Sequence, residues 1–232
     1  MQKGAAKSCS FLRIGEGRIM EDLNFYTLNN RYVDYLKQAE FEKRGFSRVP
    51  NMSYGKNRKQ KFLCGVVLNI HNILYFAPIT SYKKQQADNF LIYADNGFVT
   101  SSLRFNYMFP VPPELLRVRT IKNEPDRAYR ALLSQELKYC IKNQNQIRFM
   151  AHRTYKRVML GKKPGLMFNS CDFALLEQKC IEYCRINNLA VPISLPQEEE
   201  NQQERTPFND LLIQATKHRK DMDKSKEQGI ER

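Results

Sequence analysis

Two apolar runs separated by a two-residue turn constrain the fold of this chain most strongly. Residues 62–70 and 74–79 each have the length and the apolar content of a β-strand. Between them lie His71 and Asn72, at a position where a tight turn must reverse the chain. The stretch therefore predicts a β-hairpin at the centre of an antiparallel sheet.

A second strand pair follows. Residues 90–93 and 98–103 flank Asp95-Asn96-Gly97, which is a strong turn signal because Asn and Gly tolerate the backbone angles of tight turns. Residues 105–109 have the pattern of a last strand. It is stopped by the prolines at positions 110, 112 and 113, which cannot donate to a strand ladder.

Helical periodicity surrounds this β-rich centre. A short strand over 25–28 leads into a helix over 31–42, with Asn29 or Asn30 as its cap. Further helices are predicted over 126–142 and 146–160, and another after Asp172. These elements predict an α+β fold with a single domain, in which one antiparallel sheet, strongly curved or barrel-like, carries packed helices.

Composition sets the domain limits. Residues 1–20 are rich in Gly and cations and are predicted to be a disordered extension, with Gly15-Glu16-Gly17-Arg18 before Met20 suggesting that translation starts at Met20. Residues 21–195 form the predicted folded domain. Residues 196–232 are polar and are predicted to be a disordered tail.

Positive charge is concentrated in the folded part. The chain has 38 Lys and Arg against 24 Asp and Glu. The first 195 residues hold 31 of the basic and 15 of the acidic residues, a net charge of +16, whereas the tail has a net charge of −2. A folded body this basic favours a polyanionic partner, of which nucleic acid is the commonest.

Several classes of protein are disfavoured by what the sequence lacks. No apolar run approaches the roughly 18 residues of a membrane span, and no apolar signal core is present, so a cytoplasmic protein without a membrane partner is expected. The six cysteines include no CxxC pair and have no neighbouring histidine cluster. Free thiols in a reducing compartment are expected, with no metal and no other cofactor.

The best candidate for chemistry is Pro78-Ile79-Thr80-Ser81-Tyr82-Lys83-Lys84, where a predicted strand ends in a polar loop. Two hydroxyls are followed within three residues by two ammonium groups, a combination that suits a bound phosphate. By itself so short a motif is equally typical of a solvated basic loop. RNA can be cut without a metal when the ribose 2′-OH attacks the neighbouring phosphorus. The enzyme must then align that hydroxyl, move protons and stabilise the phosphoryl charge.

Five segments, in order along the chain, resemble the ToxN/AbiQ family of endoribonuclease toxins. They are Phe25-Tyr26-Thr27 with Tyr32-Val33-Asp34-Tyr35-Leu36-Lys37, Lys61-Phe62-Leu63-Cys64-Gly65-Val66-Val67-Leu68, Ala77-Pro78-Ile79-Thr80-Ser81-Tyr82-Lys83-Lys84, Phe105-Asn106-Tyr107-Met108-Phe109-Pro110 and Asp172-Phe173-Ala174-Leu175-Leu176-Glu177-Gln178-Lys179-Cys180. The third is similar to the family's most distinctive motif, except that Tyr82 stands where the family carries Pro.

The resemblance implies a fold similar to the MazF/Kid toxins and a metal-independent endoribonuclease. The products would be a 2′,3′-cyclic phosphate and a 5′-OH. It also implies inhibition by a small repetitive antitoxin RNA bound in a closed toxin–RNA assembly, with no protein partner, and phage defence by abortive infection. The positions that match the family's site are Thr80, Ser81, Lys83, Lys61 and Tyr32.

Two basic regions are candidates for RNA contacts. The loop before Lys61 combines an aromatic ring with cations, which suits stacking and backbone contacts with single-stranded RNA. The predicted RNA-binding residues are Tyr54, Lys56, Arg58, Lys59 and Lys84. A second region across the later helices is a candidate for the antitoxin RNA; it comprises Lys142, Arg148, Arg153, Lys156, Arg157, Lys162 and Lys163.

One alternative function explains the charge equally well: an RNA- or DNA-binding protein without catalysis. It leaves unexplained why hydroxyls and lysines gather at one strand end. A metal-dependent nuclease would need carboxylates that converge, but Asp126 and Glu136 lie in a predicted helix and carboxylates are sparse near residues 80–84. A serine hydrolase is disfavoured because no G-x-S-x-G motif surrounds Ser81.

Overall fold

The central hairpin forms where the sequence predicts it. The computed structural model describes residues 23–52 and 61–192, in which β2 (Leu63–Ile70) and β3 (Ile73–Thr80) pair in antiparallel register, Leu63 opposite Pro78 and Ile70 opposite Ile73. His71 and Asn72 have positive φ angles of 48° and 65°. Two successive positive φ angles are typical of the turn that matches the twist of a two-residue hairpin.

The sheet is built outward from β3. Its other members are β1 (Asn24–Leu28), β4 (Asn89–Tyr93), β5 (Val99–Arg104), β6 (Phe109–Pro110) and β7 (Leu116–Val118). The order is β4-β5-β3-β2-β1-β7, and β6 also pairs with β3. Because β2 occupies one edge of β3, β5 and β6 pair with successive parts of its other edge.

This architecture confirms the α+β class and the single antiparallel sheet with packed helices. Among the described strands, β4 and β7 are the two ends of the sheet, which is therefore open and not closed into a barrel. The hairpin around Gly97, which has a φ of +81°, joins β4 and β5 as predicted.

The predicted strand over 105–109 is largely wrong. Residues Phe105–Tyr107 form a 3-10 turn, and β6 is only two residues long. The cause is Asn106, whose carbonyl accepts from the Cys171 N–H at 2.9 Å and whose side-chain amide donates to the Asn169 carbonyl at 2.7 Å. The backbone here bonds to a later loop and so leaves the strand ladder. The short strand β7, which pairs with β1, was not predicted.

The helices begin and end at sequence signals. Asn29 caps α1 (Asn30–Arg44), which ends at Gly45 with a φ of 74°. Asp126 caps α2 (Arg127–Lys142), and Asp172 caps α5 (Phe173–Ile186). Between them lie α3 (Gln144–Met159) and the short, unpredicted α4 (Pro164–Phe168). In the described ranges, none of these helices has the length and apolarity that crossing a membrane requires.

One hydrophobic core joins the sheet to α1, α2, α3 and α5. Its largest fully buried side chains include Phe25, Phe76, Phe105, Phe109 and Phe173. The five described cysteines are buried free thiols, as expected; they are Cys64, Cys140, Cys171, Cys180 and Cys184. The predicted extension over 1–20, the tail over 196–232 and the loop over 53–60 lie outside the described residues.

Candidate functional site

Thr80 ends the central strand and bonds to its neighbour strand. It lies opposite Ser102 of β5, and the two hydroxyl oxygens are 3.3 Å apart. The Ser102 hydroxyl, which is buried, also donates to the Tyr82 carbonyl at 2.6 Å. Ser102 thus fixes the path of the chain where it leaves the sheet and enters the loop that carries Ser81.

The loop after Thr80 is held in place by hydrogen bonds to Asn89, the first residue of β4. The Asn89 side chain is completely buried. Its amide donates to the Lys84 carbonyl at 2.9 Å, and its oxygen accepts from the Gln86 N–H at 2.8 Å and the Gln85 side chain at 3.0 Å. The backbone of the loop is therefore fixed by internal bonds.

The predicted site residues of this loop face solvent. Ser81, Lys83 and Lys84 are all exposed. A hydroxyl and two ammonium groups on a fixed backbone form a surface that can bind a phosphate without first having to order the chain. Lys84 was predicted to bind RNA, and its exposure leaves it accessible for that role.

Tyr82 is anchored by stacking. The Arg104 guanidinium lies over the Tyr82 ring, 5.0 Å from its centroid, and over the Tyr107 ring at 4.6 Å. The Tyr82 hydroxyl accepts from the Gln86 side chain at 3.1 Å. Where the resembling family carries Pro, this chain restrains the loop by ring contacts.

Strand register brings Lys61 to the same end of the hairpin. The Ile79 N–H donates to the Phe62 carbonyl at 3.3 Å, and Leu63 lies opposite Pro78. The same register, continued by one residue, sets Lys61 opposite Thr80. Residues directly opposite each other in an antiparallel pair point their side chains to the same face. Lys61 and Thr80 are therefore neighbours in space although 19 positions separate them in sequence.

The environment of Lys61 disfavours its charge. Partial burial lowers the pKa of its ammonium group below the ordinary value of 10.5, and the nearby cation of Lys37 lowers it further. Lys37 lies on α1, where its ammonium donates to the Asn51 side chain at 3.2 Å and lies 3.5 Å from the Asp34 carboxylate. Two cations thus approach each other beside the strand end.

Tyr32 is buried in the core. Its side chain is 1% exposed, its hydroxyl donates to the Pro110 carbonyl at 2.8 Å, and its ring meets the Tyr183 ring edge-on at 4.8 Å. Burial raises the pKa of its hydroxyl well above the usual value. In this structure Tyr32 is a buried core residue, which disfavours direct contact with RNA, and its role in the site stays a prediction.

The structure describes only some of the other residues that were predicted to contact RNA. Tyr54, Lys56, Arg58 and Lys59 lie outside the described residues. In the second basic region, the Arg153 side chain of α3 donates to the Ala87 carbonyl at 3.1 Å and so links that helix to the site loop.

Four residues of this site were not predicted: Lys37, Asn89, Ser102 and Arg104. They lie on α1, β4 and β5, and only the pairing of β5 with β3 and the packing of α1 bring them together. No short-range sequence signal marks them. Within residues 23–52 and 61–192, no group of three or more His, Cys, Asp or Glu side chains is arranged to hold a metal ion.

The sequence of this chain is similar to those of known proteins. Residues 24–181 match the family model described as toxin ToxN, type III toxin–antitoxin system. The chain is 28% identical over 166 residues to the endoribonuclease ToxN of Pectobacterium atrosepticum, a match that covers 68% of this chain and 91% of that protein. It is 26% identical over 178 residues to the endoribonuclease AbiQ of Lactococcus lactis, covering 70% and 90%.

Solved structures agree with these relatives. One, described as a type III toxin–antitoxin system with selective toxin inhibition by a non-coding RNA pseudoknot, superposes with a TM-score of 0.62 at 25% identity and covers 70% of this chain and 98% of its own. A second, in which a processed non-coding RNA regulates a bacterial antiviral system, has a TM-score of 0.58 at 26% identity and covers 68% and 96%. The AbiQ structure, at 23% identity and a TM-score of 0.59, has the same fold.

Proposed function

This chain belongs to the ToxN family of toxins from type III toxin–antitoxin systems, and we propose that it cuts RNA at the end of its central hairpin. The chain is an endoribonuclease toxin, as its curated relatives are. The observation that supports this location is that Lys61, Thr80, Ser81 and Lys83 meet at one strand end, on a loop that internal hydrogen bonds hold in place.

The proposed reaction is attack by the ribose 2′-oxygen on the adjacent phosphorus. The bond from the 2′-oxygen to phosphorus forms, the bond from phosphorus to the 5′-oxygen breaks, and the products are a 2′,3′-cyclic phosphate and a 5′-OH. The 2′ proton leaves to a base and the 5′-oxygen gains a proton, so no net proton is consumed. No metal is required, because side-chain cations supply the positive charge that the phosphoryl oxygens need.

Each residue has a distinct task in this proposal. Lys83 and Lys61 bind the scissile phosphate and stabilise the charge that develops on its oxygens. Ser81 is exposed at the start of the loop and positions the phosphate or relays a proton. Thr80, which is bonded to Ser102, orients the backbone at which Ser81 begins. Lys84 contacts the neighbouring backbone of the RNA.

Control of the toxin comes from RNA. Since the matching structures include a toxin inhibited by an RNA pseudoknot, we propose that a small repetitive antitoxin RNA inhibits this chain. The toxin would cut that RNA into units and bind them in a closed assembly. The predicted contacts of the 53–60 loop, Tyr54, Lys56, Arg58 and Lys59, belong to this proposal, as do action in the cytoplasm and abortive infection as the means of phage defence.

A gel assay tests the proposal directly. Purified protein is incubated with a mixed RNA in excess EDTA, beside Ser81→Ala, and the fragment ends are mapped. We expect discrete cuts with cyclic-phosphate ends that Ser81→Ala loses. Intact RNA despite tight binding would instead support the non-catalytic RNA-binding alternative, and cleavage that appears only with added Mg²⁺ would contradict the metal-independent reaction.

A further inference from the structure

Among the described residues, the Arg104 guanidinium contacts two aromatic rings but no carboxylate. Within the part of the chain that the structure describes, it takes part in no ion pair, and its Nε is buried without a hydrogen-bond acceptor. A buried N–H donor that lacks an acceptor destabilises the folded chain. The arrangement therefore calls for an acceptor that this part of the protein does not supply.

Two rings fix the orientation of this guanidinium. Tyr82 and Tyr107 lie against it with centroids at 5.0 Å and 4.6 Å. Contacts with ring faces use the flat sides of a guanidinium and leave the N–H groups around its edge to bind. The stack thus holds Arg104 in place without satisfying its donors.

Arg104 shares a face of the sheet with Thr80, one of the proposed site residues. In a strand, residues two apart point to the same side, so Arg104 points as Ser102 does. The Ser102 side chain meets that of Thr80 across the strand pair. Arg104 also contacts Tyr82, which lies between Ser81 and Lys83 in the chain.

From this geometry we infer that Arg104 binds a backbone phosphate of the RNA substrate, next to the phosphate that is cut. The inference rests on the proposed site at residues 80–84. A guanidinium matches the oxygens of a phosphate with two parallel N–H bonds, and because Arg104 is only partly buried as a whole, its terminal amino groups are the ones that can bind a phosphate. Arg104 is then an RNA-contact residue beside Lys61 and Lys83.

The test measures RNA binding in a Ser81→Ala background, where the substrate stays intact. Adding Arg104→Gln should weaken binding of a short single-stranded RNA about tenfold, since hydrogen bonds to charged groups are among the stronger ones. The slope of log K against log salt should become shallower by about 0.7, the value for one phosphate contact on a single strand. Arg104→Lys should keep that slope and bind with intermediate affinity.

The controls separate this inference from other roles of Arg104. Arg185→Gln removes the same charge from an exposed residue at the end of α5 and should leave both affinity and slope unchanged. A set of RNAs with one base altered at a time should show equal loss for all sequences. Loss confined to one base would mean that Arg104 reads a base edge and would overturn the inference.

Two further results are decisive. If Arg104→Gln and Arg104→Lys both bind RNA as tightly as their parent, Arg104 is no RNA contact, while cleavage lost in Ser81→Ala would still uphold the proposed function. If Ser81→Ala itself cleaves normally, the site proposal fails whatever Arg104 does. Thermal unfolding of each variant identifies any that lose affinity because they lose structure. If Arg104→Gln is such a variant, the parent is compared with Arg104→Lys instead.

Discussion

At the scale of single residues, solvent exposure separates the amino acids that can meet RNA from those that cannot. Ser81 and Lys83 are exposed on a loop that internal hydrogen bonds hold in place, whereas Tyr32 is buried and its hydroxyl donates to the Pro110 carbonyl. Helical spacing predicts that Tyr32 lies on an inward face of α1 but does not say whether that face lines a site or the core. The exposure of Ser81 and Lys83 fits their predicted role in the site, whereas the predicted role of Tyr32 stays a prediction that its burial disfavours.

Tyr32→Phe tests the placement of Tyr32. The substitution removes one buried hydroxyl and leaves the Pro110 carbonyl without its donor, which should lower the free energy of unfolding by about 1–3 kcal/mol. The cleavage rate should remain that of the parent well below the unfolding temperature. Ser81→Ala provides the opposite pattern, with cleavage lost and stability within about 0.5 kcal/mol of the parent, as for other exposed residues. A Tyr32→Phe protein that is fully folded but inactive would return Tyr32 to the site.

The lowered pKa of Lys61 predicts a pH dependence. Its ammonium loses the proton at a lower pH than an ordinary lysine, for which the pKa is 10.5. If Lys61 acts as a cation, kcat/KM should be at its maximum at pH values below this lowered pKa and should fall as the pH rises through it. Lys61→Arg keeps its charge at every accessible pH and should remove this decline. Rates are measured after subtracting the cleavage of RNA in enzyme-free buffer.

The opposite profile has a clear meaning. A kcat/KM that rises through the same pH range in the parent, and is low throughout in Lys61→Arg, would show that the neutral amine acts as a base. The role of Lys61 as a stabilising cation would then be wrong, although its place in the site would stand.

At the scale of elements, the parts of the fold defined by local signals were predictable. The hairpins follow from their two turns, α1 and α5 follow from their Asn and Asp caps, and α2 follows from its apolar periodicity. The 3-10 turn at Phe105–Tyr107 and the strand β7 depend on distant partners, Cys171 and β1, so no local pattern predicts them. The same holds for the site. Its loop was predictable from the local sequence, but Ser102 and Arg104 could be assigned to it only once the register of β5 against β3 was known.

One buried carboxylate joins three segments of the chain. Glu40 of α1 accepts from the Asp172 N–H at 2.6 Å, before α5, and from the Ser47 hydroxyl at 2.8 Å and the Arg48 N–H at 2.6 Å in the loop after α1. It also accepts from the Arg44 guanidinium at 3.1 Å. Glu40 thereby fixes the segment through which the chain passes from α1 toward Lys61.

Glu40→Ala should therefore unfold the protein at markedly lower urea concentration. Removing one partner of a buried ion pair costs about 3–5 kcal/mol, and here several N–H donors lose their acceptor as well. The control is Glu42→Ala on the same helix, where the carboxylate is exposed and bonds only to Gln38 among described residues; its effect should stay within about 0.5 kcal/mol. Equal effects of the two substitutions would contradict the role given to Glu40.

At the scale of the whole molecule, charge governs the encounter with RNA. The first 195 residues have a net charge of +16, and Arg153 of α3 bonds to the loop that carries Lys83 and Lys84. A body with this charge attracts any RNA through its backbone, regardless of sequence. Selection among RNA sites must then come from the surface around the cleaved phosphate.

Binding of RNA by the Ser81→Ala protein should be strongly dependent on salt. If Lys61, Lys83, Lys84 and Arg104 each neutralise one phosphate, log K should fall against log salt with a slope of about −3 or steeper, since each contact on a single strand contributes about −0.7. Titrations from low to physiological salt measure the slope. A slope near zero would contradict a mode of binding in which these cations contact phosphates.

The pairing of β2 with β3 has a consequence for the cell that makes this toxin. Lys61 and Thr80 become neighbours only in one register, and a slip of one residue would turn Lys61 to the other face. Ser102 and Arg104 join them only after β5 has been synthesised and has paired with β3. Under the proposed assignment, a nascent chain on the ribosome before that point lacks both the hydroxyl that fixes the path of the site loop and the arginine proposed to bind the neighbouring phosphate, so we expect it to cut RNA, its own messenger included, less efficiently than the finished toxin.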